Sequence, residues 1–296
     1  MHTSFAYGLV VHSELPLLPN SSDTDQPDVV VRCDLLEPDA FQQEKGQVIF
    51  AQVSPDIRLL IRDGREIVID APSDTDPQFL RGYILGAAMG VILRQRGLLV
   101  VHASCVAKDD IAIAFLGGSG WGKSTLASAF HAHGYRLVTD DVMAIQLNGS
   151  APLVIPSFPE VRLLPDAAAA MGSPSSRTSL LYSLSHKQIQ RLDRQFEACP
   201  VTLKQCYVLR IGECNGIEPL SRPQAFTELI QHSRATKTLA DPNFQIQHFR
   251  QCSQLANAVP MAYLKRPRSL DQLPQLVAFI EAHLSILQPC TDLSDH

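Results

Sequence analysis

The pattern of apolar and polar residues predicts a β-rich N-terminal region. Short apolar runs alternate there with polar, turn-forming segments, which is typical of strands separated by turns. After an opening strand and a polar connection, the predicted strands span residues 28–33, 47–53, 57–62 and 66–70. Asp63-Gly64, between the last two strands, is typical of a tight hairpin. Residues 1–75 are therefore predicted to be mainly strand.

Helical spacing dominates several later segments. Residues 77–94 begin with Pro77 and lead into the next apolar strand, which predicts one helix over this stretch. Farther along, the pattern predicts a strand over 201–210 and helices over 224–233 and 269–287, the last broken by Pro274. Three cations also recur at helical spacing, as on the solvated face of a helix; they are Lys187, Arg191 and Arg194.

A glycine-rich loop is the most informative motif in the chain. Residues 117–125 read Gly-Gly-Ser-Gly-Trp-Gly-Lys-Ser-Thr, a complete Walker A phosphate-binding loop between an apolar run and a helix-compatible segment. Its glycines let the backbone wrap phosphates, Lys123 can reach the β and γ oxygens, and Ser124 can offer a hydroxyl to Mg²⁺. The predicted nucleotide-binding residues are Gly117, Gly118, Ser119, Gly120, Trp121, Gly122, Lys123, Ser124 and Thr125. Trp121 occupies a variable position, where its ring can either cover the nucleotide or pack outward.

A pair of carboxylates follows the next predicted strand. Residues 135–141 read Tyr-Arg-Leu-Val-Thr-Asp-Asp, and Gly134 ends the helix before them. Phosphoryl transfer needs one carboxylate for the metal and another that accepts the proton of the attacking hydroxyl. We predict that Asp140 is the general base and that Asp141 binds metal or orients the site. An acidic pair at a strand end is also common in ordinary turns.

The order of these motifs resembles the catalytic core of HPr serine kinase/phosphorylase. In that family a strand containing His, a G-x-S-G-x-G-K-S loop and an R-L-V-x-D-D strand follow one another at about this spacing, as they do within residues 98–147 here. The resemblance implies an α/β (α+β) fold with a P-loop core of HPr kinase/PEP carboxykinase type spanning residues 76–296, with C-terminal helical elements. More loosely, most of residues 5–270 resembles relatives from peptide-modification gene clusters, including kinases that phosphorylate lasso peptides.

The resemblance also implies roles for residues outside the loop. It places His102 near the carboxylate pair, where it would tune the base, although core histidines are common. It suggests that Glu160 completes the Mg²⁺ shell, whereas the neighbouring prolines also allow a simple turn residue. Arg162 could stabilise the transferring phosphoryl group, because its planar fork matches phosphate oxygens, or lie on the surface. Thr125 stands where the bifunctional enzymes usually have Glu, and their glycine-rich signature is missing, so phosphorolysis is not expected.

Composition narrows the class of protein. The 296 residues carry a net charge of −5, without the basic footprint that nucleic-acid binding requires. Seven scattered cysteines without a C-x-x-C pair indicate reduced thiols rather than disulfides or a zinc site. The most apolar segment, 83–93, is too short to cross a bilayer, and no basic and apolar leader is evident. We therefore expect a cytoplasmic protein that binds neither nucleic acid nor membrane, with a homo-oligomer left open.

The leading hypothesis is an ATP-dependent, Mg²⁺-requiring kinase that phosphorylates a hydroxyl. The resemblance suggests serine in a small protein or ribosomally made peptide as the acceptor. Two alternatives stay open: a nucleotide-binding regulatory or scaffold protein with weak hydrolysis, and a small-molecule kinase or carboxykinase-like enzyme.

Overall fold

The protein is a mixed α/β chain. The computed structural model describes residues 1–21, 26–37, 47–170, 178–180, 187–192, 195–235 and 241–287. Within these residues the strands form three sheets, and the helices pack against them. No helix among the described residues is long and apolar enough to cross a membrane.

The N-terminal region forms a six-stranded sheet in the order β1-β2-β3-β6-β5-β4. Its strands are β1 (His2–Ala6), β2 (Leu9–Ser13), β3 (Val29–Cys33), β4 (Val48–Ser54), β5 (Ile57–Arg62) and β6 (Glu66–Asp70). The predicted hairpin is confirmed: Asp63 and Gly64 both have positive φ, as the tight turn between β5 and β6 requires. The opening differs from the single strand we expected, because Tyr7 and Gly8 turn the chain and split it into β1 and β2.

A helical segment joins this sheet to the rest of the chain. It comprises α1 (Pro77–Tyr83), a π-helical turn (Ile84–Ala88) and α2 (Met89–Gln95). Asp76 caps its start by accepting a hydrogen bond from the Gln78 amide. The predicted helix is thus confirmed, but its pattern of apolar residues gave no sign of the π turn.

The second sheet carries the phosphate loop, and a third, smaller sheet lies beside it. The strands are β7 (Leu99–Val101), β8 (Ala103–Lys108), β9 (Ile111–Leu116), β10 (Arg136–Thr139), β11 (Met143–Gln146), β12 (Leu153–Ile155), β13 (Glu160–Leu163), β14 (Thr178–Leu180), β15 (Gln188–Arg191), β16 (Val201–Ile211), β17 (Gly216–Pro219) and β18 (Met261–Arg266). The larger sheet runs β10-β8-β9-β16-β12-β11-β7, with β18 pairing β16 and β17 pairing β18; β13, β15 and β14 form the third. In the larger sheet, β9 and β16 are parallel neighbours near the centre, so their carboxyl ends lie at the same edge of the sheet.

The remaining helices are α3 (Lys123–Ala132), α4 (Pro165–Ala170), α5 (Arg222–Gln231), α6 (Pro242–Ala258) and α7 (Leu273–Leu287). Helix α3 is anchored by Phe130, whose ring packs 5.3 Å from Phe115 of β9 and 4.8 Å from Tyr135. Because Phe130 is fully buried, truncating it to Ala would cost about 3–5 kcal/mol. This packing fixes the loop between β9 and α3.

Several predicted elements need correction. Helix α7 begins at Leu273, so Pro274 lies in its first turn, where its missing N–H does no harm, and the helix is unbroken. Lys187 and Arg191 do not lie on a helix, since residues 188–191 form β15; Arg194 lies outside the described residues. Helix α6 and strand β18 were not predicted at all.

Candidate active site

The phosphate loop connects the buried strand β9 to helix α3. Gly120 and Gly122 adopt left-handed backbone conformations, with φ of 76° and 85°. A Cβ at Gly122 would lie 2.3 Å from Nη2 of Arg266, the same atom that donates to the Trp121 carbonyl at 2.6 Å. Glycine at residue 122 suits the left-handed backbone, and it leaves the space that the Arg266 guanidinium occupies.

Lys123 points back into the protein. The residue is 6% exposed, and its Nζ lies 2.8 Å from His102 Nε2, 2.8 Å from the Gly117 carbonyl and 3.0 Å from the Gly118 carbonyl. Burial, followed by the charge of Lys187, lowers the pKa of Lys123 from 10.5 to about 8. All three N–H donors of the ammonium group are thus engaged within the loop and the His102 ring, and a phosphate must compete for them.

Asp140 is the inner member of the carboxylate pair. It is 6% exposed and follows β10, where the pairing with β8 shifts register. One carboxylate oxygen accepts a 2.5 Å hydrogen bond from the Ser104 hydroxyl, and the other accepts a 2.9 Å bond from the Arg162 amide. Asp140 is therefore held between β8 and β13, with lone pairs left over on both oxygens.

Asp141 is the outer, half-buried member and lies in a left-handed turn, with φ of 74°. Arg162 Nη1 donates to one of its oxygens at 3.1 Å, and Arg234 Nη2 donates to the other at 2.7 Å. Burial alone would raise the pKa of Asp141, but hydrogen bonding from His102 and the charges of Arg162 and Arg234 lower it well below its usual range. Asp141 is therefore ionised throughout the physiological range.

His102 connects the loop to the carboxylates. Its Nε2 faces the Lys123 ammonium, and its Nδ1 lies 3.0 Å from both the backbone oxygen and a carboxylate oxygen of Asp141. The same Nδ1 also lies 2.7 Å from Nη2 of Arg234, so this nitrogen meets both a donor and the oxygens of Asp141. Two motifs that are separate in the sequence thus meet at one imidazole ring.

The π-helical turn borders the same cluster. A Cβ at Gly86 would lie 3.8 Å from Oδ2 of Asp141 and 3.9 Å from Nη1 of Arg162, so a larger side chain would press on this ion pair.

Glu160 is bonded to a residue outside this cluster, Arg81. Both its oxygens accept from Nη2 of Arg81, at 2.7 and 2.6 Å, and Arg81 also donates to the Leu17 carbonyl. Its role as a magnesium ligand stays a prediction that requires release of this ion pair.

A cleft of about 240 Å³ opens in front of the loop. Gly120 to Thr125 line it, while Ser119 is exposed at the tip of the loop. Its cationic lining residues are Lys123, Arg162, Lys187, Arg210, Arg266 and Arg268. Among the described lining residues Asp166 alone is acidic, and the apolar ones are Trp121, Leu164, Ala167, Leu209, Ile211, Leu270 and Leu273. A polyanion with an apolar or aromatic end fits this composition.

Trp121 packs against its own loop rather than outward. An added Cβ at Gly118 would lie 3.0 Å from the indole Nε1, so the ring covers that part of the backbone. The guanidinium of Arg210 lies 5.5 Å from the indole centroid and 4.6 Å from the Tyr263 ring. Trp121 also lines the cleft.

Several residues of the site were missed from the sequence. Ser104 lies two positions after His102 within the recognised motif, so its place beside His102 could have been predicted from the sequence. The sequence gave no signal for Arg234 or Arg210, because each reaches the site from a distant segment through tertiary packing. Among the described residues, no three His, Cys, Asp or Glu side chains converge as a ready-made metal cluster.

No family model matches the chain, and a search of the curated proteins finds no match. Among solved structures, the chain is similar to the structure of the Hpr(Ser) kinase/phosphatase from Coxiella burnetii, at 12% sequence identity. The alignment covers 64% of this chain and 99% of that chain, with a TM-score of 0.32. A likeness at this level carries no argument about function, which therefore rests on the geometry of the site.

Proposed function

We propose that the protein is an ATP-dependent kinase that transfers the γ-phosphoryl group to a hydroxyl. One observation carries the proposal: Lys123 of the phosphate loop and the ionised Asp141 contact opposite nitrogens of the His102 ring. Asp140 directly precedes Asp141 in the chain. A phosphate-binding loop beside a carboxylate pair is what phosphoryl transfer requires, because the protein mainly positions groups and neutralises charge.

The residues of the cleft fit a nucleoside triphosphate. The loop has no Cβ at Gly120 or Gly122, and the start of α3 presents amide N–H groups, which favour an anion. Lys123 would exchange its bonds to the Gly117 and Gly118 carbonyls for bonds to phosphate oxygens. The surrounding guanidinium groups add positive charge, and the apolar side chains in the cleft lining suit a base.

Ser124 and Asp141 are the residues we assign to Mg²⁺. Ser124 is half-buried at the start of α3, and Asp141 stays ionised because of its cationic neighbours. Mg²⁺ commonly takes only one or two protein oxygens and shares the rest of its shell with phosphates and water. When bound, the ion would neutralise charge on the phosphate oxygens.

Asp140 is the residue we assign to the acceptor hydroxyl. The Ser104 hydroxyl and the Arg162 amide orient its carboxylate, and its remaining lone pairs can accept a proton. Asp141 is the poorer base, since two arginines hold its pKa low. Arg162 contacts both carboxylates, through its amide and its guanidinium, and lines the cleft, where it could also meet the transferring phosphoryl group.

The acceptor is proposed from the motif resemblance alone. We infer a serine of a small protein or of a ribosomally synthesised peptide, such as a lasso precursor peptide.

Purified protein incubated with Mg-ATP and a pool of serine-containing peptides tests the proposal. We expect a phosphopeptide and an equal amount of ADP, both lost in a Lys123→Met variant that still folds. ADP and free phosphate without any phosphorylated acceptor would favour a nucleotide-binding regulatory protein with weak hydrolysis. Phosphorylation of small hydroxyl compounds but not peptides would indicate a small-molecule kinase.

A further inference from the structure

A short segment after α5 brings Arg234 to the site. It docks on β7, the last strand of the larger sheet: the His102 amide donates to the His232 carbonyl at 2.7 Å, and the Arg234 amide donates to the Val100 carbonyl at 2.9 Å. Val101 and Ser233 form an isolated antiparallel bridge between these bonds. The Arg234 side chain is 42% exposed, and from this docked backbone its guanidinium reaches Asp141 at 2.7 Å.

Arg94 of α2 holds the same segment from the other side. Arg94 is 4% exposed; its Nε donates to the Arg234 carbonyl at 2.7 Å, and its Nη2 lies 2.9 Å from Nδ1 of His248 on α6. Among the described residues, no carboxylate pairs with it. Burial lowers the pKa of Arg94 to about 10, so the guanidinium is still charged at neutral pH.

The side chains next to Arg94 are neutral: His248 can accept a hydrogen bond from it, and the Cys252 thiol stays protonated. Burial, with the charge of Arg94, lowers the pKa of His248 to about 4, so its ring is neutral and Nδ1 can accept a hydrogen bond. Cys252 lies 3.6 Å from that ring, but burial raises the pKa of its thiol to about 11. A cluster of neutral acceptors around a buried cation is costly to form, and here it joins three segments: α2, residues 232–235 and α6.

We infer that Arg94 is a positioning residue that fixes the backbone at Arg234 and thereby sets the Arg234 guanidinium against Asp141. Arg94 itself contacts neither the cleft nor the carboxylates. The part of this inference that concerns turnover rests on the proposed kinase function. The part that concerns geometry does not.

The test compares Arg94→Met with Val91→Ala. Met keeps the length of the side chain and removes its N–H groups. Val91 is a buried neighbour on α2 whose side chain carries no hydrogen-bonding group, so it controls for general destabilisation. Hydrogen exchange at the His102 and Arg234 amides reports the docking directly. We expect Arg94→Met to lose protection at these two amides selectively, and Val91→Ala to leave them protected relative to the rest of the sheet.

Turnover gives the second readout. A displaced catalytic group commonly costs between ten- and a hundredfold, so we expect Arg94→Met to lower kcat about tenfold or more with little change in nucleotide Kd. Combining Arg94→Met with Arg234→Met should slow the enzyme no further than Arg234→Met alone, because both changes remove the same contact. Additive losses in the double variant, or equal loosening by Val91→Ala, would overturn the inference. If the wild type transfers no phosphoryl group, the kinase proposal fails, and the exchange pattern still decides whether Arg94 holds the segment.

Discussion

Lys123 is expected to make nucleotide affinity depend on pH in the mildly alkaline range. Its pKa in the free protein is lowered to about 8, chiefly by burial, so the lysine loses its proton above that pH. Phosphate oxygens bind the ammonium form and restore its ordinary, higher pKa. Nucleotide affinity should therefore be constant below pH 8 and fall as the pH rises through 8, because binding must then take up a proton.

The Lys123 pKa of about 8 also sets how much nucleotide affinity changes with pH. With a pKa of 8, about nine-tenths of the lysine is protonated at pH 7 and about one-tenth at pH 9. The dissociation constant for Mg-ATP should therefore be about tenfold larger at pH 9 than at pH 7, or about 1.4 kcal/mol. At pH 8, binding should take up about half a proton.

Titration calorimetry in buffers of different ionisation heat measures both quantities. Lys123→Arg is the matched control, because a guanidinium stays charged over the whole range and its affinity should be flat with pH. A wild-type affinity that does not change between pH 7 and pH 9, or a slope that persists in Lys123→Arg, would refute the reasoning.

Three further predictions address the carboxylate, the loop and the direction of reaction. Asp140→Asn should keep nucleotide affinity and lose transfer by a factor on the order of 10² or more in a single-turnover assay; an unchanged rate would exclude Asp140 as the base. Gly122→Ala should weaken nucleotide binding, because its Cβ would lie 2.3 Å from Nη2 of Arg266 and push this guanidinium away from the loop, whereas Gly134→Ala, also at positive φ but without a neighbour within 4 Å, should cost only about 1–2 kcal/mol of backbone strain. Equal nucleotide affinity in these two variants would contradict this view of the loop. Thr125 stands where the family that the motifs resemble usually has Glu, so incubating the phosphorylated acceptor with Mg²⁺ and phosphate should release no pyrophosphate; steady release would contradict this expectation.

Much of the candidate site could be predicted from local sequence. The Walker A loop and the Asp140-Asp141 pair were predictable because their residue types and spacing are set by phosphate and metal chemistry. The structure places His102 between them, and it brings the Arg162 amide and guanidinium to the two carboxylates. Their catalytic roles stay predictions.

What local patterns could not supply was long-range packing. Arg234 reaches Asp141 only because residues 232–235 dock on β7, and Arg81 pairs with Glu160, which lies 79 residues later in the chain. Neither pairing leaves a periodic trace in the sequence. The segment at 187–191 misled for a similar reason: cation spacing mimicked a helix, while pairing with β13 made it a strand.

A crystal structure with Mg²⁺ and a non-hydrolysable ATP analogue would test the central claim most directly. The account predicts phosphates on Lys123, whose Nζ has left the Gly117 and Gly118 carbonyls, Mg²⁺ within about 2.1 Å of the Ser124 hydroxyl, and the γ-phosphoryl group on the side of Asp140. Nucleotide bound elsewhere, or Lys123 still bonded to its own loop with the analogue in the cleft, would contradict it.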